Sequence, residues 1–167
     1  MIGFLAALLV LRLLFAASEI QDTNKMYTSG SDALYNCSSV EEICKVPIPS
    51  SYNNCSRAGV WKNELQSVMR ITCIQGQIRG FYCSAVGKAK SYYPLSGRYL
   101  VARGNSVIMG WTVAWQNPSG NNQSSTSWSA ISYTGDVIES QWLLTSYSTE
   151  LWRTVMSNRD RFMKVRC

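Results

Sequence analysis

The chain has 167 residues, a formal net charge of +6, six cysteines and no histidine. Without histidine there is no Ser-His-Asp or Cys-His arrangement, and metal ligation loses its commonest donor. The Lys and Arg residues are scattered rather than gathered on one run, which argues against a nucleic-acid binder and leaves the charge as a solubility property.

Residues 2–17, "IGFLAALLVLRLLFAA", form an apolar run that ends in small residues. Ala16 and Ser18 fit the −3 and −1 positions of a signal-peptidase site, so residues 1–18 read as a signal peptide cleaved near Ser18. The expectation is a secreted, extracellular protein with no membrane attachment after cleavage. About 149 residues remain, enough for one domain with its own core. Cysteines at 37, 44, 55, 73, 83 and 167 in such a chain predict disulfides. Six cysteines allow fifteen connectivities, and the sequence does not choose among them. No CxxC pair is present, so no zinc site is expected. Sequons at Asn36, Asn54 and Asn122 fit a secreted glycoprotein.

Residues 19–54 are polar and turn-rich and read as a loosely ordered, Cys-containing extension. Within it "SSVEEICK" predicts one short capped helical turn. The barrel domain is placed at 55–167. From Ala58 onward short β-rich segments alternate with turn clusters at even spacing. The expected strands are 59–65, 68–74, 77–84, 96–102, 107–116, 125–133, 137–146 and 152–165. Eight short strands with no good helix predict an all-β meander. A meander of that size removes its edges by closing into an eight-stranded antiparallel up-and-down barrel, with room for side chains or one small ligand.

No Gly-rich phosphate loop and no nucleophile–base pair is present, so a binding module is favoured over an enzyme. A small-ligand barrel needs inward polar groups at strand ends and aromatic walls. Period two puts Tyr82 and Ser84 on one face of "FYCS" and Cys83 on the other. Ser124, Thr126 and Trp128 share a face in "SSTSW". A hydroxyl ladder ending in an indole is unusual for a sealed core, because each buried hydroxyl needs a partner.

At these residues the chain resembles a known family. From about Gly59 to Val165 it is similar to the avidin and streptavidin biotin-binding proteins, and to the bacterial member more closely. The stretches that carry the resemblance are "NELQS", "GFYCSAVGKAKSYYPLSGRY", "GWTVAWQN", "STSWS", "QWLLTS" and "LWRTVMSNRDRFMKV", in the family's order. The resemblance implies a barrel, usually a homotetramer, that binds biotin at its mouth with no cofactor. It implies that Asn63, Ser67 and Tyr82 donate hydrogen bonds to the ureido oxygen, and that Ser84 and Asp160 accept from the two ureido N–H groups. Thr126 falls near the thioether sulfur and Ser124 near the valeryl carboxylate. Lys88 takes the place of an asparagine whose backbone N–H meets that carboxylate. Trp115, Trp128 and Trp142 would wall the ligand, and Trp152 would reach into a neighbouring subunit's site. Trp61 and Trp111 have no such role and are assigned to core packing.

The chain also departs from the family. Cys55 resembles avidin's N-terminal cysteine, but the position of its partner, near Ser132, holds no cysteine. Cys73 and Cys83 pair either with each other or with the N-terminal group. The connection from Trp142 to Trp152 is short, and Asn122 lies beside the proposed contact Ser124. These departures set the alternative to secreted high-affinity biotin sequestration: an avidin-like oligomerisation module with weak or no biotin binding.

Overall fold

The computed structural model describes residues 40–87, 91–115 and 123–167. The signal segment, Cys37, Lys88 and the sequons at Asn36 and Asn122 lie outside the described residues. Eight strands form one closed barrel in sequence order, every neighbour antiparallel, with the last strand returning to the first. They are β1 (Gly59–Asn63), β2 (Val68–Ile74), β3 (Gln77–Cys83), β4 (Tyr92–Val101), β5 (Val107–Trp115), β6 (Ser124–Ser132), β7 (Val137–Ser146) and β8 (Val155–Lys164). The expected all-β, eight-stranded up-and-down barrel is therefore the fold.

Three boundaries differ from the sequence expectation by more than one residue. β4 begins at Tyr92 rather than at 96. Pro94 lacks a ladder donor and reads as a strand breaker, yet here it faces outward opposite Phe81 while Tyr93 and Leu95 point into the core. β1 stops at Asn63 because residues 64–67 turn back, with Gln66 N–H donating to Asn63 O and Gln66 held at φ 71°. β8 starts at Val155 because Leu151–Arg153 form a 3-10 turn.

Strand alternation builds the interior. Along β5, Val107, Met109, Trp111, Val113 and Trp115 are buried while Ile108, Thr112 and Ala114 face out. Trp61, Met69, Ile71, Ile78, Ile138 and Phe162 join them from the other strands. Each fully buried aliphatic side chain contributes about 1.5–3 kcal/mol over its exposed state. Trp61 and Trp111 are core residues, as expected. Trp111 needs space that only glycine gives: it lies opposite Gly97, where a β-carbon would collide with the Gly110 carbonyl and the Trp111 backbone.

One end of the barrel is plugged by Arg57, which is 2 % exposed. Its guanidinium donates to Ser132 Oγ at 2.8 Å and to Asn105 O at 3.0 Å, and Trp61 Nε1 donates to the Arg57 carbonyl at 3.0 Å. Ser132 is thus tied to the N-terminal segment by a charged hydrogen bond rather than a disulfide. Cys55 pairs instead with Cys73, and Cys44 with Cys167. Cys73 lies opposite Ile78 and Cys83 opposite Val68, at opposite ends of the β2–β3 ladder, so the two cannot bridge each other. Cys83 is disulfide-bonded as well. The two mapped bridges constrain the unfolded chain by about 3 and about 5 kcal/mol respectively on loop-entropy grounds.

Within the extension, the helix α1 (Val40–Cys44) is the short turn read from "SSVEEICK". The following residues lie on the outer face of β2, where Arg70 donates to Val46 O and Pro47 O at 3.0 and 3.3 Å. Asn53 then bridges Cys73 in parallel.

Gly97→Ala is expected to lower stability by about 1–3 kcal/mol, the cost of overpacking a filled interior. Urea unfolding checks this, with Gly135→Ala as a control for substitution at an uncrowded glycine.

Candidate functional site

The barrel end opposite Arg57 is open, and the strand termini there carry the polar side chains. Asn63 is the last residue of β1. Its Oδ1 accepts the Ser67 N–H at 2.8 Å, which leaves the amide nitrogen as the group free to donate. Ser67, buried in the turn before β2, accepts the Ala85 N–H on its hydroxyl at 3.1 Å and bonds to the Tyr82 phenol. One turn thereby gathers Asn63 of β1, its own Ser67 and Tyr82 of β3.

Beside Asn63, on the neighbouring strand, Asp160 of β8 is 5 % exposed. Trp128 Nε1 donates to its carboxylate at 3.0 Å, and the donor groups of Trp142 and Asn63 nearby also favour its ionised form. Ser140 Oγ donates to the Asp160 carbonyl at 3.0 Å and holds the backbone to β7. Burial pushes the Asp160 carboxyl up from its ordinary value, the Glu64 charge pushes the same way, and the three donors oppose them. Burial is also the main reason that the Tyr82 phenol is pushed up, with the Asp160 charge adding to it. Tyr82 therefore remains a donor throughout the neutral and mildly alkaline range.

Aromatic rings form the floor and walls. Tyr82 stacks on Trp128 with ring centroids 5.0 Å apart, and Trp128 stacks on Trp111 at 5.8 Å. Trp115 stands edge-on to Tyr82 at 5.6 Å and to Tyr93 at 5.2 Å. Its indole N–H donates to Thr126 Oγ1 at 2.7 Å. That bond satisfies the buried indole and leaves the threonine hydrogen free for another acceptor. At the rim Ser84 Oγ donates to Val86 O at 2.8 Å. With its hydrogen so used, the Ser84 hydroxyl offers only lone pairs to the pocket.

These groups enclose a cavity of about 190 Å³. Ten of the expected site residues line it: Asn63, Ser67, Tyr82, Ser84, Trp115, Ser124, Thr126, Trp128, Trp142 and Asp160. Two do not. Lys88 lies outside the described residues. Trp152 stands on the 3-10 turn before β8, 75 % exposed, with the Arg153 guanidinium 4.4 Å from its ring centre. Leu65, Val86, Gly87 and Leu144 also line the cavity and were not expected. Leu144 was within reach of the sequence, since it is two residues from Trp142 on one strand face. Leu65, Val86 and Gly87 belong to turns, where no periodicity marks the facing side. Among the described residues no group of three or more His, Cys, Asp or Glu side chains is placed to hold a metal ion.

A closed barrel with an aromatic-walled pocket, in which the polar groups of β1 and β3 are flanked by Ser84 after β3 and Asp160 on β8, defines a small-ligand-binding barrel. The sequence model described as the Avidin family matches residues 51–165. The chain belongs to the Avidin family.

Tyr82 also sets an alkaline limit. A phenol raised in the fold contributes stability that is complete below its ordinary value of 10.0 and is lost as pH rises toward the folded-state value. Tyr82→Phe is therefore expected to reduce the fall of stability above about pH 10, measured by urea unfolding at pH 8 to 11. An identical pH slope in wild type and variant would contradict the assignment.

Proposed function

We propose that this chain is a secreted protein that binds free biotin non-covalently and at high affinity in the barrel mouth, sequestering it without chemical change. The observation that carries this reading is the polar arc at the mouth, in which Asn63, Ser67 and Tyr82 lie between Ser84 on one side and Asp160 on the other. Asn63, Ser67 and Tyr82 converge as donors where a carbonyl oxygen fits. Ser84 and Asp160 converge as acceptors where the two N–H groups of a cyclic urea fit.

The physical gain lies in alignment. Three fixed donors polarise the ureido oxygen as an oxyanion hole would, but no reaction follows because no nucleophile is presented to it. A carboxylate acceptor strengthens its bond by charge and draws density through the ureido group toward the donors. Thr126 would meet the thioether sulfur, and Ser124 together with the Lys88 backbone N–H would meet the valeryl carboxylate. Trp115, Trp128 and Trp142 would cover the apolar ring and chain. Walls already packed before the ligand arrives lose little entropy on binding, which lets a small ligand approach the affinity ceiling per atom.

We further assign a homotetramer as the working assembly. An indole 75 % exposed beside the mouth-end turn is costly to leave in water. A neighbouring subunit's pocket is the apolar environment it would fill.

Titration of the mature protein with biotin, followed by tryptophan fluorescence, tests the reading directly. A stoichiometric break near one biotin per chain supports it, and no response, with none by calorimetry, rejects it. Asp160→Ala is expected to weaken binding by about 1–3 kcal/mol or more, since a buried ligand N–H loses its charged acceptor; an unchanged dissociation constant would remove Asp160 from the site. Trp152→Ala is expected to speed biotin release in the assembled protein. Equal release rates would mean that Trp152 caps no pocket.

A further inference from the structure

The β1–β8 ladder that closes the barrel runs through Trp61↔Lys164, Lys62↔Met163 and Asn63↔Phe162. The next rung would join residue 64 to Arg161, but the β1 main chain has already turned. Asn63 N–H donates to Ser67 O and Asn63 O accepts from Gln66, both at 3.0 Å. No β1 carbonyl remains for the Arg161 N–H. The Glu64 side chain takes that place: its two carboxylate oxygens accept the Arg161 N–H at 3.0 and 3.3 Å. A side chain thus completes the closure one residue from Asp160.

Building on the biotin-binding reading, we propose that Glu64 is a positioning residue of the ligand site, whose carboxylate supplies the last rung of the β1–β8 closure and so sets the placement and electrostatic setting of Asp160. Of the groups packed about the Asp160 carboxylate, Trp128 of β6, Trp142 of β7 and Asn63 of β1 are neutral donors. The titratable ones are Tyr82 of β3 and Glu64 of the β1–β2 turn. The Arg161 guanidinium does not offset Glu64 directly, being paired with Glu139 Oε1 at 3.0 Å on the outer face. Glu64 therefore acts in two opposed senses. Its hydrogen bond fixes the strand that presents the acceptor, while its negative charge disfavours the ionised form of that acceptor. A ligand N–H binds the ionised carboxylate better, so affinity falls as pH drops through the Asp160 titration, and Glu64 moves that fall to higher pH.

Two variants separate the two actions. Glu64→Gln keeps an acceptor oxygen and removes the charge; Glu64→Ala removes both. The Trp128 indole N–H, bonded to Asp160, reports the Asp160 titration by nitrogen-edited NMR in the ligand-free protein, and amide exchange at Arg161 reports the rung. Glu64→Ala is expected to speed Arg161 exchange and to release biotin about 3- to 10-fold faster at pH 7, with Glu64→Gln restoring most of both. Glu64→Gln is expected to shift the Trp128 titration, and the acid limb of biotin affinity, to lower pH. The proposal is overturned if Glu64→Ala leaves Arg161 exchange unchanged, or if Glu64→Gln leaves the Trp128 titration where it was. Failure of the wild type to bind biotin would sink the functional reading instead, while the two NMR measurements on ligand-free protein would still decide the role of Glu64.

Discussion

Closure of β8 onto β1 is the constraint on which the rest depends. It brings Asn63, near the start of the barrel, beside Asp160, near its end, and the Glu64–Arg161 contact joins the same two stretches one rung further on. A closed ring also fixes which face of every strand looks inward, because a one-residue slip at any pair would turn Trp111, Trp128 and Phe162 out to water. The register that buries the core is the same register that aims the polar termini at one another.

Below the level of Trp128 the barrel is full, and above it the barrel holds a cavity. Trp128 belongs to both halves: it stacks on Trp111 underneath, faces Tyr82 at the side and donates to Asp160 above. Polar atoms placed against such rings have lost water and must bond to one another. Asp160 does so with the Trp128 indole, Thr126 with the Trp115 indole, and Asn63 with the Ser67 backbone. These internal bonds are what give each group a fixed sense as donor or acceptor. The proposed ligand contacts inherit their direction from that internal pairing.

The two ends of the barrel are built by different means. Arg57 fills the opening at the closed end, where the Cys55–Cys73 bridge anchors the segment before β1. At the open end residues 63–67 turn back through backbone hydrogen bonds, and Cys83, opposite Val68, is disulfide-bonded. Glu64 shows there how a side chain can stand in for backbone.

The sequence by itself determined the strand pattern, the barrel and most of the pocket wall. Period two is a local property, so "SSTSW" revealed that Ser124, Thr126 and Trp128 share a face without any partner strand in view. Family resemblance then attached Asn63, Ser67, Tyr82, Ser84, Asp160 and the tryptophans to one site. Beyond its reach were contacts between residues distant in the chain. Disulfide choice depended on the β2–β3 register, which parts Cys73 from Cys83, and on the Asn53–Cys73 bridge, which brings Cys55 to Cys73. Leu65, Val86 and Gly87 joined the wall through turns, whose side-chain directions follow no period. Pro94 entered a strand that local propensity ends, because the outward face there tolerates a missing donor and the buried flanks of Tyr93 and Leu95 outweigh it. Only the tertiary structure, by ending β1 one rung early, decided that Glu64 would meet Arg161.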